Sequence, residues 1–129
     1  MPRKAINAPG AVSVGPYSHA VEAGELVFLS GQTPFDPAPG RLVEGGIDAQ
    51  TEQCFNNLFA VLETAGLSPD DVVKVNVYLT DMADFQAMNS VYARRLSQPY
   101  PARTTVQVAG LPLGARIEIE MVALKTSES

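Results

Sequence analysis

A small set of charged residues near the end of the chain has the types and spacing to move a proton on a carboxylate-bearing molecule. In "PARTTVQVAGLPLGARIEIE", residues 101–120, Arg103 opens one alternating segment and Glu118 and Glu120 lie in another. An arginine offers a planar fork of donors that grips a carboxylate through two parallel hydrogen bonds. Glu118 is flanked by Ile117 and Ile119, and Glu120 by Ile119 and Met121, so in a strand the two acids share a face opposite the isoleucines. Burial raises the pKa of such a glutamate and a nearby cation lowers it. Kept ionised but poorly hydrated, it can deprotonate a water and later return the proton. The plainer alternative is a solvated face, with Arg103 paired to Glu118 or Glu120 across a hairpin for at most about 1 kcal/mol and the acids discouraging edge-to-edge aggregation. Residue type alone does not say which glutamate does chemistry.

Weaker candidates lie upstream. "SGQTP", residues 30–34, places the Ser30 hydroxyl and Gly31 at the end of an apolar run, and a glycine lets its backbone N–H approach a ligand closely. A plain strand-to-loop turn explains the same residues. In "GPYS" Tyr17 either offers a phenol to a ligand or packs under its loop. His19 has no nucleophile or acid partner in view and reads as a surface or satisfied residue. Cys54 beside Phe55 reads as buried packing. "ARR", residues 93–95, is a local basic pair, far short of a nucleic-acid footprint. Phosphate-loop and nucleophile-elbow motifs are absent from the sequence.

The elements that must position these residues follow from periodicity. Residues 3–7 and 18–23 read as short strands separated by the Gly/Pro-rich "APGAVSVGP". The nearly continuous apolar run "ELVFLS", residues 25–30, suits a buried strand. Residues 31–46 hold three prolines and four glycines and read as a loop, with a small ribbon turned at Pro39-Gly40. Residues 48–65 form a helix with Phe55, Leu58, Phe59 and Leu62 on one stripe, ended by Gly66. "SPDD", residues 68–71, is a capped helical turn. In residues 72–80, Val73, Val75, Val77 and Leu79 point one way and Lys74, Asn76, Tyr78 and Thr80 the other. A second helix runs from Asp84 to Leu96, with Phe85, Met88, Tyr92 and Leu96 on a common side and Asn89 at its edge; Pro99 and Pro101 prevent its continuation. A closing hairpin and a frayed "TSES" tail complete a β-β-β-α-β-α-β-β order. Two one-sided helices cover only one face of such a sheet. The other face carries Tyr78, Val122 and Leu124, and a bare, partly apolar sheet face finds a partner. A homo-oligomer joined through these faces is expected, with a site built from two chains.

Composition narrows the classes. The chain has 129 residues, 46% of them hydrophobic and 18% charged, and a formal net charge of −5. That fits a single domain, residues 1–129, with a sizeable core. The acidic balance disfavours nucleic acid and anionic membrane surfaces as partners, and no apolar run is long enough to span a bilayer. Arg3 and Lys4 are not followed by an apolar signal core, so a cytoplasmic location is expected. One cysteine and one histidine exclude an intrachain disulfide and a Cys/His zinc cluster, and no metal site is expected.

"GPYS", "LSGQTP", "NNL" before "AGL", "NVYLTD", "F..MN..Y", "PAR" and "IEIE" occur in collinear order over almost the whole chain, and together they resemble the RidA family (also called YjgF/YER057c/UK114). The resemblance implies an α+β, chorismate-mutase-like fold: a mixed six-stranded sheet with two helices packed on one face, assembled as a homotrimer with sites between subunits. It also implies hydrolysis of small reactive 2-imino or enamine acids, such as 2-iminobutanoate and 2-iminopropanoate, to 2-oxo acids and ammonia without a cofactor. Residue by residue, Arg103 matches the arginine that grips the substrate carboxylate. Glu118 matches the residue that positions and deprotonates water. Tyr17, Ser30, Gly31 and Asn89 match other pocket positions, and Glu120 becomes structural. Many deaminases of the family carry Cys two residues after the arginine, near a position whose assigned role involves backbone groups, where this chain has Thr105. That departure leaves open a trimer that binds carboxylates or protein surfaces without turnover. A deaminase dedicated to a larger enamine also remains open. A ribonuclease, proposed for relatives, is opposed by the acidic balance and the lack of a basic, aromatic-laced surface. The catalytic reading expects the last two strands side by side, bringing guanidinium and acid to one hollow between neighbouring chains; opposite sides of the sheet would undo it.

Overall fold

The computed structural model describes residues 3–9 and 15–125. Part of the "APGAVSVGP" loop and the whole "TSES" tail therefore lie outside the described residues. The strands are β1 (Lys4–Ile6), β2 (Ala20–Ala23), β3 (Leu26–Gln32), β4 (Phe35–Asp36), β5 (Arg41–Leu42), β6 (Val72–Leu79), β7 (Ala102–Gln107) and β8 (Ile117–Leu124), with helices α1 (Ile47–Thr64) and α2 (Phe85–Arg95). Six strands form one sheet in the order β1-β2-β3-β8-β6-β7, and β4 and β5 pair as the small ribbon expected around Pro39-Gly40. β6 and β7 are parallel and every other pair in the large sheet is antiparallel. The fold is the expected α+β arrangement of two helices on a mixed six-stranded sheet.

Local chemistry sets the element ends. Gly66 has φ +78° just past α1, a conformation that a Cβ disfavours. Ser68 and Asp71 form a reciprocal capping box on the turn Pro69–Asp71, which satisfies two backbone donors before β6 begins. Cys54, Phe55, Leu58, Val61 and Leu62 of α1 are buried, as are Met88, Val91 and Tyr92 of α2, against Val75, Val77, Leu79, Ile117, Ile119 and Met121. Each large side chain here contributes about 1.5–3 kcal/mol by leaving water. Phe59, at the edge of the α1 stripe, is half-buried, with the Arg95 guanidinium 5.0 Å from its ring centre. The "ARR" pair is thus structural: Arg94 and Arg95 both bridge to Glu52 across the helices.

Three strand readings are corrected. β7 and β8 do not form a hairpin, because β6 lies between them. α2 carries the chain back so that β7 runs parallel to β6, as a crossover helix permits, and the segment between β7 and β8 then passes the end of β6, where Val108 N donates to Leu79 O and Thr80 N to Arg116 O. β6 does not alternate strictly. Its register with β8 shifts between Val72 and Lys74, so Val72 is buried and Val73 is 43% exposed. Finally, β3 is not buried throughout: Val27 and Leu29 face the core, whereas Leu26 and Phe28 are exposed.

That last correction enlarges the bare face. Leu26 stands opposite Leu124, and Phe28 opposite Val122, in the β3–β8 register. With Tyr78 on β6 and Val106 on β7, they give the uncovered side an apolar character beyond that read from the sequence. No helix among the described residues is long and apolar enough to cross a membrane.

Candidate active site

The uncovered face holds a cleft of about 420 Å³ whose lining includes Tyr17, Ser30, Gly31, Glu118 and Glu120. A β-bulge shapes its floor. The β3–β8 register passes from Leu29–Met121 to Gln32–Ile119, so Ser30 and Gly31 together oppose Glu120, and the extra residue re-aims the strand. Ser30 is fixed through its backbone N–H to His19 O, at 2.9 Å, and its hydroxyl to Ser18 O, at 2.7 Å. The role of Gly31 is steric. A Cβ there would lie 2.1 Å from Glu118 Oε2 and 2.9 Å from its Cδ, so the carboxylate occupies the space a side chain would need. The glycine serves Glu118 rather than only exposing its own N–H.

The two acids differ. Glu120 accepts a hydrogen bond from Asn76 Nδ2 at 2.9 Å, which suits a structural part. Burial pushes the Glu118 carboxyl above the ordinary glutamate range, and the negative charge of Glu120 adds to the effect. A half-buried carboxylate with a raised pKa is a stronger base when ionised than a solvated one.

Arg103 is elsewhere. It stands opposite Val75 in the β6–β7 register, on the helix-covered side. Its guanidinium lies 4.7 Å from the Tyr92 ring centre and 5.5 Å from that of Phe85, and Nη1 donates to Asn89 Oδ1 at 2.7 Å. Glu118 stands opposite Tyr78, on the uncovered side. Within one chain, therefore, the guanidinium and the acid are on opposite faces of the sheet and do not converge. The hairpin ion pair is equally excluded: no carboxylate among the described residues pairs with Arg103. Thr105 shares the Arg103 face, opposite Val77, and its hydroxyl is buried without a partner among the described residues. The expected site thus falls into two groups: Tyr17, Ser30, Gly31 and Glu118 at the cleft, and Asn89, Arg103 and Thr105 at the sheet's β7 edge.

Other candidates resolve into structure. His19 is buried; its Nδ1 accepts from Ala8 N at 3.1 Å and its backbone N donates to Asn7 Oδ1 at 2.9 Å. Burial pushes the Cys54 thiol well up, which keeps it protonated and inert. No group of side chains among the described residues could hold a metal ion. The cleft also has walls that the sequence reading missed: Phe35, Pro37, Asn57, Pro112 and Leu113. Asn57 holds the loop in place by donating to Thr33 O and Phe35 O at 3.1 and 2.8 Å. The "PLG" turn gave a local signal, but nothing in its spacing tied it to Glu118.

Comparison with known proteins decides the family. The sequence model of the family described as Endoribonuclease L-PSP matches residues 5–125. The chain belongs to this family, that of the RidA proteins. A RutC family protein of Pyrococcus horikoshii is 50% identical over 87% of this chain and 89% of its own length. The human 2-iminobutanoate/2-iminopropanoate deaminase is 43% identical over 92% of this chain and 85% of its own. The crystal structure of RidA from an Antarctic Psychrobacter superposes with a TM-score of 0.89 at 49% identity, covering 94% of this chain and 98% of that one. The family thus includes proteins named as imine deaminases beside others named only for the family.

Proposed function

We propose that this protein hydrolyses small reactive 2-imino acids and their enamine tautomers to 2-oxo acids and ammonia, at sites shared between neighbouring chains of a homotrimer. The observation that carries this reading is Glu118: a half-buried carboxylate of raised pKa, packed on Gly31 in an open cleft. The human relative's name supports the reaction class; the number three comes from the family resemblance.

The opposite placement of Arg103 and Glu118 undoes the expectation that the last two strands of one chain bring guanidinium and acid together; the catalytic reading stands only in a form in which two chains each supply one of them. Substrate cannot be gripped and hydrolysed by one chain's own pair, so Arg103 of a neighbouring copy supplies the carboxylate anchor to the Glu118 cleft. Stacking on Tyr92 and the bond to Asn89 hold that guanidinium in one orientation, so little freedom is lost when it grips the carboxylate. Ser30 and Tyr17 bring polar groups to the cleft, and Thr105 brings its unpartnered hydroxyl with Arg103. Ionised Glu118 takes a proton from water as the water oxygen bonds to the imine carbon. The resulting aminol receives that proton on nitrogen; its C–N bond then breaks to release ammonia while the hydroxyl gives its proton through Glu118 to the departing nitrogen and the carbonyl forms. Positioning and one general base suffice, since such imines already hydrolyse in water. Neither a covalent nucleophile nor a cofactor takes part.

The test generates 2-iminobutanoate in a coupled assay and follows ammonia release. Wild-type protein should accelerate it. Glu118→Gln should lower kcat by about 10²–10⁴-fold while 2-oxobutanoate still binds. No acceleration by wild-type protein, with 2-oxobutanoate binding intact, would favour the carboxylate-binding module instead.

A further inference from the structure

The cleft has both a polar and an apolar lining. Ser30 and Glu118 bring polar groups to it, whereas Phe35, Pro37, Pro112 and Leu113 line it with carbon. Leu113 stands out on two independent observations. At 54% it is the most exposed of the large apolar side chains among the described residues, and it belongs to no buried cluster. Its backbone has φ +63° and ψ 14°, and it is the one non-glycine residue with positive φ among those described. In that conformation the Cβ of an L residue crowds the adjacent carbonyl, which bulky side chains avoid. The turn does not require leucine: Gly114 N donates to Leu111 O and Ala115 N to Pro112 O, bonds that glycine at 113 would keep. A bulky side chain held in a disfavoured conformation, exposed, on the wall of a cleft marks a residue whose side chain is used.

We propose that Leu113 is a specificity-determining residue: it forms the wall against which the substrate's own side chain packs, so that the cleft favours 2-imino acids with branched aliphatic or aromatic side chains over those with a methyl group. The inference rests on the deaminase reading and deepens it. Every such substrate undergoes the same balanced change, in which the C=N bond and one water become a C=O bond and ammonia. The reacting atoms and the carboxylate are common to all, so selectivity falls to the side chain, and an apolar wall discriminates by the apolar surface it covers.

The experiment compares 2-imino acids made in situ from leucine, phenylalanine and alanine by an L-amino acid oxidase, with and without the protein. The kcat/KM for the leucine and phenylalanine imines should exceed that for the alanine imine by about tenfold or more. In Leu113→Gly that ratio should collapse toward one, with a thermal midpoint no lower than wild type, because glycine relieves the backbone. Binding of 4-methyl-2-oxopentanoate against pyruvate reads the same preference without turnover. Protein that hydrolyses none of the imines, yet shows the binding preference and its loss in Leu113→Gly, overturns the deaminase reading and leaves the wall intact. Equal ratios in wild type overturn the inference alone. So does a ratio unmoved by Leu113→Gly while stability or assembly falls, since Leu113 would then be structural.

Discussion

The cleft around Glu118 and the perch around Arg103 are built on opposite faces of one sheet by opposite means. At the cleft, a bulge and a missing Cβ let a carboxylate fold down into partial burial, where water no longer fully solvates it. At the perch, aromatic rings and an amide from α2 hold a cation that has no acid of its own among the described residues. One region has a base and no anchor; the other has an anchor and no base. On the proposed reading each is half of a hydrolytic site, and the apolar bare face beside the cleft offers a reason for chains to come together.

The largest effect should come from removing that reason. Phe28 and Leu124 are exposed apolar residues on the bare face, so changing both to Gln costs the isolated chain little, about 0.5 kcal/mol each at most. If chains meet there, sedimentation should show dissociation, and imine hydrolysis should disappear with the assembly. A fully active monomer would break the comparison, since one chain's Arg103 cannot reach its own cleft.

Mixing inactive chains sharpens it further. Arg103→Ala and Glu118→Gln should each be nearly inactive alone. Unfolded together and refolded, they should regain about a quarter of wild-type activity, because a shared site is intact only when each contributing chain carries the other's defect. No regain in confirmed mixed oligomers would place both groups within one chain's site.

This division explains what was legible in the sequence. Alternation and helical stripes report on burial within one chain, and they located both helices and the central strands; the Pro39-Gly40 turn signal located the small ribbon. Apolar runs do not report which face is covered, so Leu26 and Phe28 read as core although they face outward. Pairing is non-local: the Pro/Gly turn after Gln107 looked like a hairpin, although nine residues separate β7 from β8 and two-residue loops are the usual hairpin connection. A β-α-β reading of residues 72–107 would have put β7 beside β6. Site residues were legible mainly through motif resemblance. Leu113, whose meaning depends on a backbone angle, was not.

A smaller effect tests the cleft's steric logic. Gly31→Ala places a methyl where Glu118 Oε2 now lies, and the flexible end of that side chain can swing away. Stability should therefore change by less than about 1 kcal/mol, while kcat falls by about tenfold as the base leaves its position. Full activity in a folded Gly31→Ala protein would show that the packed position of Glu118 is not the working one.

The smallest effect concerns pH, and it compares the halves apart and together. Because the folded chain holds the Glu118 carboxyl above its ordinary value, the native state binds that proton more tightly than the unfolded state does. Ionising Glu118 then costs stability: the cost is absent below the unfolded pKa, grows as pH rises, and is complete above the folded pKa. Glu118→Gln should consequently raise the thermal midpoint at pH 7, by on the order of 2 °C, and the gain should vanish below about pH 4. In the assembled protein a neighbour's guanidinium opposes the burial effect, so the gain should be larger in the dissociated Phe28→Gln/Leu124→Gln background than in the parent. A gain that is the same in both would mean that no cation approaches Glu118 on assembly, and the two regions would have to be assigned separate work.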